Sequence, residues 1–149
     1  MKHLYLFFLL FITTASFSQE STLIKKEDFK FEDGARWRVT SKPINIKNGE
    51  NKLSEVLVTV AFSENLYSKI DIDKINEMIQ LVNQKSRNST KNEYTYISRV
   101  IKISSMPGTE VWHATIEFTA QNDFGATKTG MNSADFDENY NLVKFSNLL

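Results

Sequence analysis

The hydrophobic residues of this chain recur with two different periods, and the switch between them maps the elements. From Glu110 to Gln121 the alternation is unbroken: Trp112, Ala114, Ile116, Phe118 and Ala120 share one face, and Val111, His113, Thr115, Glu117 and Thr119 the other. A period of two is that of a strand with one face in a core, because successive strand side chains point to opposite sides. Leu53 to Phe62 repeats the pattern, with Val56, Val58, Val60 and Phe62 set against Glu55, Leu57, Thr59 and Ala61. Its β-branched run suits a pleated, half-buried surface. Between these strands the period lengthens. Ile72, Ile75, Ile79 and Val82, with Met78 beside them, fall at the three-and-four spacing of one helical face. That predicts a helix from about Asp71 to Ser86, capped by Asp71 or Asp73, whose carboxylate satisfies exposed backbone amides. A stripe confined to one side predicts a helix lying on a sheet.

The remaining segments are organised by turn residues. Asp28 to Thr40 reads as a hairpin in which the loop Glu32-Asp33-Gly34 pairs Phe31 with Ala35 and Phe29 with Trp37, Gly34 supplying a positive φ. Ser41 to Lys52 reads as a polar connection, with Pro43 and Asn48-Gly49 as turn signals and a short strand at Ile44 to Ile46. From Glu93 the chain reads as a meander: a strand to about Ser104, the Pro107-Gly108 turn, Glu110 to Gln121, the turn Asn122 to Gly125, Ala126 to Phe136, the turn Asp137 to Asn139, and Leu142 to Leu148. The expected fold is α+β, one amphipathic helix packed on a curved, mainly antiparallel sheet in the order hairpin, strand, helix, four-strand meander. The helical stripe is expected to meet Trp112, Ile116 and Phe118. Cystatin-like and PsbP/Mog1-like arrangements are similar to it in element order.

The N-terminus sets the compartment. Lys2, the apolar run Leu4 to Ile12, and Ser16 and Ser18 before Gln19 make residues 1–18 an expected signal peptide. The apolar run is shorter than the roughly 20 residues of a membrane-spanning helix. Residues 19–27 are expected to form a flexible leader, and 28–149 a single domain that is periplasmic or secreted. Without residues 1–18 the chain has 17 basic and 18 acidic residues and no basic stripe, which argues against nucleic acid as a partner and against a membrane after signal cleavage. No cysteine is present. Disulfides, thiol catalysis and Cys-ligated zinc are therefore excluded.

Candidate chemistry is sparse. His113 is the one histidine outside the expected signal peptide. Glu117 shares its face but lies about 13 Å along the strand, too far for a direct dyad, so a partner must come from a neighbouring strand. Arg99 interrupts the face Thr95-Ile97-Arg99-Ile101-Ile103. Either it occupies an anion pocket, or a bulge re-aims the strand, leaving Arg99 wet and Tyr94 and Tyr96 on the core side. The run Asp135 to Asn141 starts like a calcium loop but has Tyr140 where glycine is needed and Ser146 where a glutamate is needed. A hairpin turn fits it better. No nucleophile elbow, P-loop, dinucleotide fingerprint or paired-histidine metal motif occurs. The expectation is a non-catalytic binding or interaction module for a protein, peptide or small ligand, with His113, Glu117, Arg99, Tyr94 and Tyr96 as candidate ligand-binding residues and no catalytic residue, metal or cofactor assigned. The alternatives are a small enzyme or pocket protein with its site between helix and sheet, and an envelope assembly factor.

Overall fold

Strand pairing runs along the sheet in the order of the chain. In the computed structural model, which describes residues 23–32, 34, 36–106 and 108–148, the elements are β1 (Lys30–Glu32), β2 (Trp37–Lys47), β3 (Leu53–Ser63), α1 (Ile72–Asn88), β4 (Ile97–Ser105), β5 (Trp112–Gln121), β6 (Thr127–Phe136) and β7 (Leu142–Asn147). The strands form one seven-stranded sheet in the order β1-β2-β3-β4-β5-β6-β7. Every neighbouring pair is antiparallel except β3 and β4, which are parallel and joined through α1. That follows from the connection: parallel neighbours need a crossover long enough to hold a helix. The α+β expectation stands, but the four-strand meander is one part of a longer, open sheet. Residues 1–18, read as a signal peptide, lie outside the described residues.

Two local readings change. The first hairpin pairs Lys30 with Val39, Phe31 with Arg38 and Glu32 with Trp37, so the loop is four residues, 33–36, and not the three of Glu32-Asp33-Gly34. Both Gly34 and Arg36 take positive φ in it. Phe31 therefore faces outward under the Arg38 guanidinium, 5.2 Å from its ring centre, while Phe29 is buried against Phe62. Next, Ser41 to Lys47 is not a connection. It continues β2 straight through Pro43, which pairs with Leu57. β1 pairs only with residues 37–39, so beyond them β2 is a sheet edge, where a missing proline N–H breaks no ladder.

The core lies between α1 and one sheet face. Asp71 Oδ1 accepts the Lys74 N–H at 3.1 Å and caps the helix. Ile75, Met78, Ile79 and Val82 pack on Val56, Val58, Val60, Ile101, Ile103, Trp112, Ala114 and Ile116. Each fully buried aliphatic side chain of this kind stabilises the fold by about 1.5–3 kcal/mol over its exposed state. Phe118 does not join this cluster as expected. It lies against Tyr96, with ring centres 5.1 Å apart, and over Gly130. Asn76, buried on the helix, accepts the Ile24 N–H at 3.1 Å and donates to the Ile24 carbonyl at 3.0 Å. Ile24 is only 1 % exposed, so the leader expected to be flexible is docked from Leu23 onward. Residues 19–22 lie outside the described residues.

Candidate ligand-binding site

One end of the sheet gathers the β2–β3 turn, the segment leaving α1 and the β5–β6 turn. Short side chains shape each piece. Asn48 Oδ1 accepts the N–H groups of Glu50 and Lys52, and Asn122 Oδ1 those of Phe124 and Ala126, the local bonding that favours asparagine in turns. The pieces are then cross-linked. Gly49 N–H donates to the Tyr96 carbonyl at 2.8 Å, and an added Cβ at Gly49 would sit 1.8 Å from the Glu93 carbonyl oxygen. Thr95 Oγ1 accepts the Gln121 N–H at 2.8 Å and donates to the Asn92 carbonyl at 3.0 Å. Asn132 Nδ2 donates to Ser89 Oγ at 3.1 Å. These bonds fix the end of the sheet before any ligand arrives.

Tyr94 rises from this frame with 78 % of its surface exposed. It borders two hollows. The first, about 450 Å³, is also lined by Gly49, Asn51, Arg87, Lys91, Asn92 and Glu93. Arg87 Nη1 donates to Asn51 Oδ1 at 3.0 Å and to the Asn48 carbonyl at 3.4 Å, and its Nε is buried with no partner among the described residues. The second hollow, about 350 Å³, includes Glu50, Arg99 and Thr119 in its wall. Arg99 Nε donates to Thr119 Oγ1 at 3.2 Å. Neither arginine forms an ion pair among the described residues, whereas Glu50 is paired with Lys52 and Lys91 with Asp123. Guanidinium groups with spare donors suit planar anionic oxygens.

The sequence-predicted residues divide into three groups. Tyr94 and Arg99 share the second hollow. Arg99 is the extra residue of a bulge between Ser98 and Val100 and is exposed, the bulge alternative and not the buried-pocket one. Tyr96 is fully buried in the core, and Tyr94, expected with it on the core side, is outside. Burial pushes the Tyr96 hydroxyl up to about 12, against partial relief from its hydrogen bond with the Ser98 hydroxyl at 3.2 Å. The Ser98 hydroxyl itself donates to Asn83 Oδ1 on α1. Arg87, Asn51 and Thr119 escaped the sequence reading. Their one signal is a polar side chain, Arg87 in the last turn of α1, Asn51 in the β2–β3 turn and Thr119 on the polar face of β5, a feature most surface residues share.

His113 and Glu117 sit elsewhere, on the sheet face away from α1. The site expected between helix and sheet is thus not where these residues lie. His113 is directly opposite Asp135 on β6, with Nδ1 and Oδ1 2.7 Å apart and both side chains more than a third exposed. Asp135 supplies the neighbouring-strand partner that the strand spacing demanded. Ser104 on β4 is opposite His113 on its other side, giving a row Ser104–His113–Asp135 across three strands. The hydrogen bonds of the row join His113 to Asp135 and leave Ser104 outside, so the nucleophile-to-base link of a hydrolytic triad is not made. Glu117 pairs with Val100 and Met131 and touches neither partner of the row in register. The loop beyond β6 is a hairpin turn. Asp137 Oδ1 accepts the N–H groups of Asn139 and Asn141. These bonds, the Asn141 backbone first, hold the Asp137 carboxyl below its ordinary range. Among the described residues no three His, Asp or Glu side chains converge as for a metal.

No protein-family model matches the chain, and no curated protein or solved structure matches it. Function therefore has to be argued from the geometry of the site.

Proposed function

We propose that the chain is an exported binding module whose ligand site is the loop end of the sheet around Tyr94. The observation that carries this reading is a highly exposed tyrosine set between two preformed hollows, each containing an arginine without a carboxylate partner among the described residues. Large exposed aromatic rings give contact area at small entropic cost, and a cross-linked frame reduces the ordering a ligand must impose. The positive, apolar and small-residue order of residues 1–18 supports export. Two measurements test the parts separately. Fractionation with N-terminal sequencing is expected to find the mature chain outside the cytoplasm, beginning at Gln19; an intact cytoplasmic chain sinks the export reading. Thermal-shift screening against peptides, lipids and glycans is expected to yield ligands whose effect is lost in Tyr94→Ala, and ligands indifferent to Tyr94 place the site elsewhere.

A second reading rests on the His113–Asp135 pair with Ser104 beside it. Acid–base chemistry on the open face predicts hydrolysis of activated esters that disappears in His113→Ala. Hydrolysis at the buffer rate, or persisting in the variant, ends that reading.

A further inference from the structure

We infer that the loop-end site takes an acidic oligosaccharide, a sugar chain carrying carboxylate or sulfate groups. This rests on the binding-module reading and names its ligand class. A sugar ring has an apolar face of C–H groups, which an aromatic ring covers, and an edge of hydroxyls, which planar amide, carboxylate and guanidinium groups bind. The loop end has both parts. Tyr94 offers the ring, and both hollows lie within the roughly 300–1,000 Å³ of ligand-holding clefts. Because Tyr94 borders both hollows, a ligand lying on it reaches into each, as a chain of linked sugars does and a single compact molecule does not. In the first hollow Asn51, Asn92 and Glu93 line the wall beside Arg87 and Lys91. In the second, Asn48, Thr119 and Thr127 line it beside Arg99.

The charges decide the ligand's sign. Four of the charged groups at this end neutralise one another, Glu50 with Lys52 and Lys91 with Asp123. Arg87 and Arg99 remain without ion-pair partners among the described residues, one in each hollow, and Arg87 keeps an unpartnered buried Nε. Glu93 is the one carboxylate in the two walls outside that pairing. Two guanidinium groups against one carboxylate favour a ligand with separated negative groups. A nucleic acid, with a charge on every phosphate, needs more cations along its backbone than these two arginines, and the chain has no basic stripe to supply them.

Isothermal titration of the exported chain tests the inference with four probes: alginate oligosaccharides for carboxylate, dextran sulfate oligosaccharides for sulfate, neutral dextran oligosaccharides, and oligo-dT. Alginate, dextran sulfate or both are expected to bind at least about tenfold more tightly than neutral dextran, the acidic probe that wins naming the group recognised. Tyr94→Ala is expected to weaken that binding by about tenfold or more with an unchanged melting temperature, since the side chain is mostly solvent-exposed. Arg99→Gln is expected to narrow the gap between acidic and neutral probes. The inference is overturned if neither acidic probe binds, if dextran or oligo-dT binds as well as they do, or if Tyr94→Ala binds them like the wild type. Should both acidic probes fail while a peptide or lipid ligand still depends on Tyr94, the sugar class alone is wrong. Should no ligand of any class depend on Tyr94, the site itself is wrong.

Discussion

Gly49→Ala is the sharpest test of how the loop end is built. Gly49 does not need a positive φ; it needs the absence of a side chain. An added Cβ would stand 1.8 Å from the Glu93 carbonyl oxygen and 2.6 Å from the carbonyl carbon and oxygen of Tyr94. All three are backbone atoms, so no rotamer change relieves the overlap, and the β2–β3 turn has to part from the 93–96 segment. Parting them also breaks the bond from Gly49 N–H to the Tyr96 carbonyl. Overpacking of this kind costs about 1–3 kcal/mol, and the lost hydrogen bond about 0.5–1.5 kcal/mol more. Against this, alanine lowers the entropy of the unfolded chain, which stabilises by about 0.4–1 kcal/mol where the site has room. The first two effects win. The net expectation is a loss of about 0.5–4 kcal/mol, or about 2–16 °C in melting temperature for a domain of this size.

Denaturant unfolding of wild type, Gly49→Ala and Gly125→Ala measures it. Gly125 has φ +76 with open space around its Cβ position, so that variant carries only the strain of a left-handed alanine, about 1–2 kcal/mol. Tyr94 adjoins the carbonyls that must move, so binding at the loop end is expected to weaken in Gly49→Ala and not to follow stability alone. A Gly49→Ala protein more stable than wild type by the entropic increment would refute the packing argument outright.

Three further outcomes follow from other parts of the structure. Because the folded Tyr96 hydroxyl is raised from 10.0 to about 12, the unfolded chain loses that proton first as pH rises. The contribution is whole below pH 10 and disappears by about pH 12, a loss of about 2–3 kcal/mol, and stability curves of wild type and Tyr96→Phe that run parallel from pH 9 to 12 would contradict it. Asn76→Ala removes both bonds to Ile24 and is expected to cost about 1–3 kcal/mol and to speed tryptic cleavage at Lys25 and Lys26; unchanged cleavage would mean the segment is held by something else. Asp135→Asn weakens a pair that is more than a third exposed on both sides, so the expected change is under about 1 kcal/mol, and a loss above about 2 kcal/mol would show the open face to be more enclosed than described.

What the sequence pattern reveals here is parity, and what it hides is register. The buried faces of β3, β5 and α1 were readable because each repeats its period through a whole element. Asp135 was not readable as the partner of His113, although the meander places β6 beside β5. The β5–β6 loop is five residues, 122–126, closed by the Asn122 N–H on the Ala126 carbonyl at 2.9 Å. Starting β6 at Ala126 shortens the loop by one and sets Ala134, not Asp135, opposite His113. One residue in a turn therefore decides whether the histidine has a carboxylate. Pro43 misled for another reason: it forbids a central strand and not an edge, and edge status depends on β1 being too short to cover it. The loop-end site was the least legible. Asn48, Arg87, Tyr94 and Thr119 come from four separate elements, and their meeting depends on the parallel β3–β4 step, which no local pattern encodes.

Arg99 joins the fold and the proposed site, and a deletion separates its two roles. Along β4 and the residue before it the core side chains are Tyr96 and Ser98, then Ile101, Ile103 and Ser105, with a spacing of three between Ser98 and Ile101 where a regular strand allows two. Ile97 and Ser98 pair with Thr119 and Phe118, but Val100 pairs with Glu117, so Arg99 is the residue without an opposite number. Removing one residue from a buried strand normally turns everything beyond it to the wrong face. Removing Arg99 does the reverse: Ser98 is then followed two positions later by Ile101, and the ladder becomes regular with every core residue in place. The ΔArg99 chain is therefore expected to fold with a loss of no more than about 2 kcal/mol, while its second hollow loses the guanidinium. Deleting Thr115 from β5, which has no bulge against β6, is the contrast. It must turn either Trp112 and Ala114 or Ile116, Phe118 and Ala120 out of the core, and the loss of even one large buried side chain costs about 2–5 kcal/mol. Circular dichroism and thermal unfolding of the two deletions decide the matter. If ΔArg99 is as disrupted as ΔThr115, the bulge is a structural necessity; if it folds and no longer prefers acidic ligands, the extra residue is there for the site.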